Sequence, residues 1–191
     1  MAMRRARPRE AVADGERPAS PSVALGARLA ALDLAGLRLA RSAGHAPAAE
    51  RAVRAYSALG QHGAAWLALG VTGALVDRRR HRARWHRATY AVAASYAANQ
   101  AIKLAVRRPR PQLADLPPLI ATPTQLSFPS AHATTSFAAA RAFACLLPAA
   151  PLRAAAGAMA VSRLYLGVHY PSDIVAGVLL GTAIGRIGGT P

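Results

Sequence analysis

Residues 55–76 contain no Asp, Glu, Lys or Arg. A helix of that length, rising about 1.5 Å per residue, would cross the roughly 30 Å hydrocarbon layer of a bilayer. The stretch therefore predicts a spanning helix, and the chain is too short to set a separate soluble domain beside it. Further apolar segments run over 88–102 and past Lys103, after Pro129 with Arg141 interrupting, over 154–166 and over 172–187. They are rich in Ala and Gly, which lowers hydropathy but lets helix backbones approach closely where lipid gives no hydrophobic drive for association. The expected fold is all-α, a multi-pass transmembrane helical bundle with its spanning helices within 55–187, forming one domain over 23–191. Residues 1–22 mix Arg, Pro, Glu and Asp and read as a disordered basic tail. Residues 23–44 read as an amphipathic or membrane helix, with Leu25, Leu29, Leu32 and Leu39 as its apolar stripe and Arg28, Asp33, Arg38 and Arg41 interrupting it.

The charge balance is lopsided: 24 Lys and Arg against 8 Asp and Glu, a formal +16. Such an excess draws nucleic acid, anionic membrane or phosphorylated substrates. Here the basic residues form short runs between apolar stretches and no nucleic-acid module is present, so the partner expected is the lipid bilayer and not nucleic acid. The run 77–87 holds six arginines and two histidines. By the positive-inside tendency it lies on the cytoplasmic side, which puts the ends near Lys103, Pro129 and His169 on the extracytoplasmic face of the plasma membrane. The basic tail pulls the other way unless 23–41 also crosses. One cysteine, Cys145, excludes an internal disulfide or a cysteine-based metal site and reads as packing.

Three clusters carry chemistry. Lys103 is the only lysine in a chain that otherwise uses arginine, and it stands seven residues before Arg110, with Pro109 and Pro111 ending the helix. In Phe128-Pro129-Ser130-Ala131-His132, Ser130 reads as an N-cap, and the free N–H groups of a helix start suit a bound phosphate. In the third cluster, Ser162 and Arg163 precede His169 and Asp173, which are four residues apart. If Tyr170 and Pro171 open the last helix, the carboxylate folds back on the imidazole and fixes its tautomer. An acid heading an apolar helix needs such a partner.

Together these clusters read Lys-x6-Arg-Pro, Pro-Ser-x-His and Ser-Arg-x5-His-x3-Asp, and in order and spacing the chain resembles the type 2 phosphatidic acid phosphatase (PAP2) superfamily from Lys103 to Asp173. The resemblance implies the helical fold of the PAP2 phosphatases and related haloperoxidases. It also implies hydrolysis of a membrane lipid phosphate through a phosphohistidine, without metal or other cofactor. His169 would be the nucleophile, Asp173 its orienting carboxylate and His132 the acid and base. Lys103, Arg110, Arg163, Ser130 and the amide at Ala131 would hold the phosphoryl oxygens. Stretches around Asn99 and Thr124 resemble actinobacterial members acting on polyprenyl-linked phosphosugars of the cell wall. Polyprenyl diphosphate, phosphatidic acid and phosphatidylglycerol phosphate are alternative substrates, and a vanadate-dependent haloperoxidase is a remote alternative function. The motif reads the phosphate and not the lipid, and no sequence feature fixes an oligomeric state.

Overall fold

Small side chains decide how this bundle packs. The computed structural model describes residues 21–42, 44–77 and 81–188, so most of the expected tail and the arginines at 78–80 lie outside the described residues. Seven helices are described: α1 (Pro21–Ser42), α2 (Pro47–Leu59), α3 (Ala64–Val76), α4 (Arg82–Val106), α5 (Ala131–Ala142), α6 (Ala149–Tyr165) and α7 (Pro171–Gly188). The only β pairing among the described residues is an isolated bridge between Pro109 and Leu126.

Helix α5 is the hub, buried from His132 to Ala142 except at Phe137 and Arg141, and it packs against α4, α6 and α7. Arg141 is exposed, so the charge that interrupts this segment points out of the bundle. Helix α7 meets α5 along Gly177, Gly181 and Gly185, spaced four apart on one face. A Cβ at Gly177 would lie 2.8 Å from the Ser130 carbonyl oxygen, one at Gly185 2.6 Å from that of Ala138, and one at Gly181 would collide with the Thr134 carbonyl. Backbone-to-backbone approach of this kind supplies the dispersion and weak polar contacts that hold helices together in lipid. Away from the site, Trp66, Trp85, Val92, Phe143 and Leu152 form the aliphatic and aromatic core, with the Trp85 and Phe143 rings 5.6 Å apart.

Two expectations are corrected. Residues 55–76 are not one helix: the chain breaks between α2 and α3, with His62 (φ 53°) and Gly63 (φ 73°) in left-handed conformations. Glycines at 60 and 63 bracket a Gln-His pair, and the punctuation they provide outweighs the absence of charge. On α1 the leucine stripe is exposed, as on a helix whose apolar face is turned to lipid, and Asp33, Leu37 and Arg41, four residues apart, are buried. Cys145 is exposed in the 3-10 turn that follows α5.

Among the described residues no helix is long and apolar enough to cross a membrane. The reason is visible: α3 has 13 residues, about 20 Å, while the 25-residue α4 carries Arg82, Arg84, Arg87 and Lys103. The outer surface nonetheless carries many large apolar side chains, Leu29, Leu39, Leu75, Tyr90, Leu104 and Leu179 among them. If the glycine face sets the α5–α7 approach, Gly181→Ala lowers stability by about 1–3 kcal/mol. Gly157→Ala, where a Cβ meets nothing within 4 Å, leaves it unchanged or raised. Thermal unfolding of both variants in detergent measures the difference.

Candidate active site

The end of α4, the start of α5, the end of α6 and the start of α7 converge. Six of the eight residues singled out by sequence line one cavity of about 60 Å³: Lys103, Arg110, Ala131, His132, Arg163 and His169. The other two stand behind its wall. Asp173 is fully buried beneath His169, and Ser130 is fully buried as the N-cap of α5, its Oγ accepting from the Ala133 amide at 3.5 Å. Ser130 is not among the residues that line the cavity.

The cations are held by neutral oxygens. Lys103, 4% exposed, donates to the carbonyls of Leu126 and Pro129, each at 3.1 Å, which pins the end of α4 to the segment before α5. Arg107 ends α4 in a left-handed conformation, after which the backbone pairs with residues 125–127 through Arg110 N to Gln125 O and Ser127 N to Arg108 O. That pairing fixes Arg110, which donates from Nε to Thr124 O at 2.8 Å and from Nη1 to Val168 O at 2.7 Å. Burial pulls the Arg110 guanidinium down to about 10, with Asp173 opposing the shift, so it remains a cation. Arg163 donates from Nη1 to Ser57 Oγ, and its buried Nε has no partner.

Between α6 and α7 the chain turns at Gly167 (φ 74°), where a Cβ would also press on Arg41. Pro171 then opens α7, and Asp173 in its first turn accepts from the Tyr170 amide at 2.9 Å. This places Asp173 Oδ2 3.4 Å from His169 Nδ1. The separation is longer than a well-formed hydrogen bond, and among the described residues Nδ1 has no other partner. A carboxylate can only accept, so Nδ1 carries the proton and Nε2 is left unprotonated, 3.2 Å from Arg110 Nη1. Burial holds His169 far below the usual imidazole range, to about 3; the Asp173 contact opposes this and Arg110 and Arg163 add to it. The ring is therefore neutral, and its unprotonated Nε2 accepts from Arg110 Nη1 among fixed cations. His132 Nε2 lies 3.2 Å from the Ser57 carbonyl, which likewise fixes its proton there and leaves Nδ1 free to exchange one.

Several neighbours lie outside the three sequence clusters. Gln61, His62, Tyr96 and Gln100 line the same cavity, and His62 Nδ1 meets Tyr96 Oη at 2.7 Å. The Gly-Gln-His-Gly break was the available signal for them. Ser57, which touches both Arg163 and His132, had none, because nothing in sequence distinguishes one serine in an alanine-rich helix. Arg108 reaches Asp173 Oδ1 at 2.8 Å and Asp33 Oδ2 at 2.7 Å. Next to the site, with Arg110 on both walls, opens a cleft of about 510 Å³ bordered by Gln112, Leu113, Ile120, Thr122 and Gln125. Among the described residues no group of three His, Cys, Asp or Glu is placed to hold a metal ion.

An anion cradle at the end of a helical bundle, facing a neutral imidazole, is the arrangement of a phosphatase, and the comparisons with known proteins agree: residues 84–188 match the PAP2 superfamily, and the chain belongs to it. A decaprenylphosphoryl-5-phosphoribose phosphatase of Mycobacterium tuberculosis is 43% identical over 138 residues, covering 70% of this chain and 75% of that protein. The fold is similar to LpxE of Aquifex aeolicus at a TM-score of 0.70 and 25% identity, over 82% of this chain and 94% of that one. It is similar also to a transmembrane PAP2-type phosphatidylglycerolphosphate phosphatase of Bacillus subtilis, with TM-score 0.70 and 20% identity over 84% of each chain. The protein is thus a phosphatase with the all-α membrane-bundle fold of this superfamily.

The depressed His169 has a consequence for stability. Between about 6.5, its unfolded value, and about 3, the unfolded chain binds a proton that the folded protein refuses. Folding stability therefore falls as pH drops through that window, by at most about 1.4 kcal/mol per pH unit from this residue. His169→Gln is expected to flatten that part of the loss, as read from unfolding midpoints at pH 7, 6, 5 and 4.

Proposed function

We propose that this phosphatase hydrolyses a phosphomonoester on a polyprenyl-linked phosphosugar, of the decaprenylphosphoryl-5-phosphoribose type, at the extracytoplasmic face of the plasma membrane. One observation carries the reading: a neutral imidazole with an unprotonated Nε2 and three cations border a cavity of about 60 Å³. That volume is well below what a sugar or drug-sized ligand needs and leaves room for little more than the phosphoryl group. The similarity to the mycobacterial phosphatase over 70% of the chain supports the substrate class. So does the adjoining cleft, whose 510 Å³ and mixed polar and apolar walls suit a sugar and the start of its lipid.

In this mechanism the Nε2 lone pair of His169 attacks phosphorus as the ester P–O bond breaks. Lys103, Arg110 and Arg163 take up the charge of the equatorial oxygens. Asp173 supports the positive charge that the ring acquires. A bound phosphate dianion favours the imidazolium of His132, which passes a proton from Nδ1 to the leaving alkoxide. Water then attacks the phosphohistidine, His132 takes its proton, and inorganic phosphate leaves with His169 neutral again.

Two experiments test the proposal. Detergent-purified protein is given decaprenylphosphoryl-5-phosphoribose, polyprenyl diphosphate, phosphatidic acid and phosphatidylglycerol phosphate, and phosphate release is followed. The polyprenyl phosphosugar is expected to give the highest kcat/KM, with activity surviving EDTA, blocked by vanadate and lowered at least 10³-fold in His169→Ala. Dependence on added divalent metal refutes the mechanism, and preference for another lipid refutes the substrate. Sidedness is read from thiol labelling in intact cells. Leu116→Cys in a Cys145→Ala background is expected to react with an impermeant reagent from outside, whereas native Cys145, at the far end of α5, stays protected. The reverse pattern overturns the assignment.

A further inference from the structure

Helix α1 precedes the stretch that matches the superfamily, yet it reaches the site. We propose that Asp33 is a positioning residue of the catalytic apparatus: through Arg108 it sets the charge and placement of the Asp173 carboxylate that steers His169. The proposal rests on the reading of His169 as nucleophile.

The contacts form an unbroken ionic chain. Asp33, 7% exposed, accepts from the Ser172 amide on Oδ1 at 2.8 Å, and on Oδ2 from the Ser172 hydroxyl at 2.5 Å and Arg108 Nη2 at 2.7 Å. Arg108 Nη1 in turn donates to Ser172 Oγ at 2.6 Å and Asp173 Oδ1 at 2.8 Å, while its guanidinium lies 4.1 Å from the centre of the Tyr170 ring. The second oxygen of Asp173 is left for the Tyr170 amide and His169. Two carboxylates thus share one guanidinium. Burial opposes the charge on Arg108, but the two acids more than offset it and hold its pKa above the usual value.

A tie for α1 alone would not need this arrangement. A buried carboxylate is an expensive way to dock a helix, and α1 has Leu37 on the same face. Its other buried charge, Arg41, docks on the neutral carbonyls of Tyr165 and Pro117. Asp33 instead engages the one chain of charges that ends at the imidazole. Without Arg108, the fully buried Asp173 loses its ion-pair partner on Oδ1, and its full charge falls on His169. Without Asp33, Arg108 is drawn wholly to Asp173 and that charge is neutralised further.

The other charged or titratable groups facing His169 are Lys103 from α4, Arg110 from the α4–α5 loop, His132 from α5 and Arg163 from α6. None of them changes in the variants proposed. The test follows the ring directly, by ¹⁵N NMR titration of histidine-labelled full-length protein in detergent, beside single-turnover phosphohistidine formation. In Arg108→Gln the His169 titration is expected to move up by about one pH unit, as a nearby cation is lost. Phosphohistidine formation should slow about tenfold or more, with KM within twofold of wild type. In Asp33→Asn/Arg108→Gln the removed charges cancel, and the titration returns toward the wild-type position.

An unmoved titration in folded Arg108→Gln, or a double variant no nearer wild type than the single one, makes the chain a structural tie and overturns the proposal. Should Arg108→Gln not fold, Asp33→Asn carries the test: phosphohistidine formation slows severalfold at unchanged KM and Asp33→Glu restores part of it, whereas a wild-type rate overturns the proposal. If wild-type protein releases phosphate from no lipid, the functional reading fails, and the titration still decides the relay on its own.

Discussion

The structure depends on burying three cations around one small space with a single carboxylate nearby. Lys103 and Arg163 are each 4% exposed, and Arg110 stands beside them. Like charges so placed repel, and their desolvation is costly. What offsets the cost is a set of neutral oxygens: the carbonyls of Leu126 and Pro129 for lysine, of Thr124 and Val168 for Arg110, and the Ser57 hydroxyl for Arg163. Neutral acceptors fix the cations without cancelling their charge, so the site remains an anion receptor. The rest of the fold serves to bring those oxygens there.

Two devices do so. The glycine face of α7 lets its backbone lie on that of α5, which seats the His169 turn beside His132 with Ser130 N bonded to Asp173 O at 3.0 Å. The break at Gly60 lets α2 end against the site: a Cβ there would lie 2.6 Å from the His132 ring, and Ser57 in the preceding turn reaches both His132 and Arg163. A continuous helix over 55–76 would have had no such end to offer. The left-handed His62 is the local strain that accompanies the break, and it sits on the cavity wall.

How much of this was legible in the sequence follows from what each signal depends on. Lys103, Arg110, His132, Arg163 and His169 could be read because their spacing is tied to helix ends marked by proline and glycine, and the resemblance gave the three clusters a common purpose. The fold class was legible in the alternation of apolar runs and basic turns. The α1 packing was not: leucines at 25, 29, 32 and 39 satisfy a helical period, but periodicity reports that a face is apolar and not whether protein or lipid covers it. Here the exposed face is the apolar one, and Asp33 and Arg41, which look like interruptions, make the contact. Likewise a cap motif at Ser130 fixes where a helix starts, and it does not report whether the hydroxyl lines the cavity. Asp33 and Arg108 stand 75 residues apart, and only the folded chain joins them.

The resting geometry also bears on how the proposed chemistry is gated. Arg110 Nη1 lies 3.2 Å from His169 Nε2, so the lone pair that would attack phosphorus is occupied by a guanidinium N–H. A phosphoryl group entering among the cations competes for that N–H with anionic oxygens, which are stronger acceptors than a neutral imidazole. In the proposed mechanism, binding the substrate's charge draws Arg110 from nitrogen to oxygen and frees the nucleophile in the same movement. A neutral molecule in the cavity cannot do this, because it leaves the guanidinium with no better partner than the ring. On the proposed reading, selectivity for a phosphoryl group then precedes any contact with sugar or lipid, and the choice of phosphorylated lipid falls to the walls of the adjoining cleft.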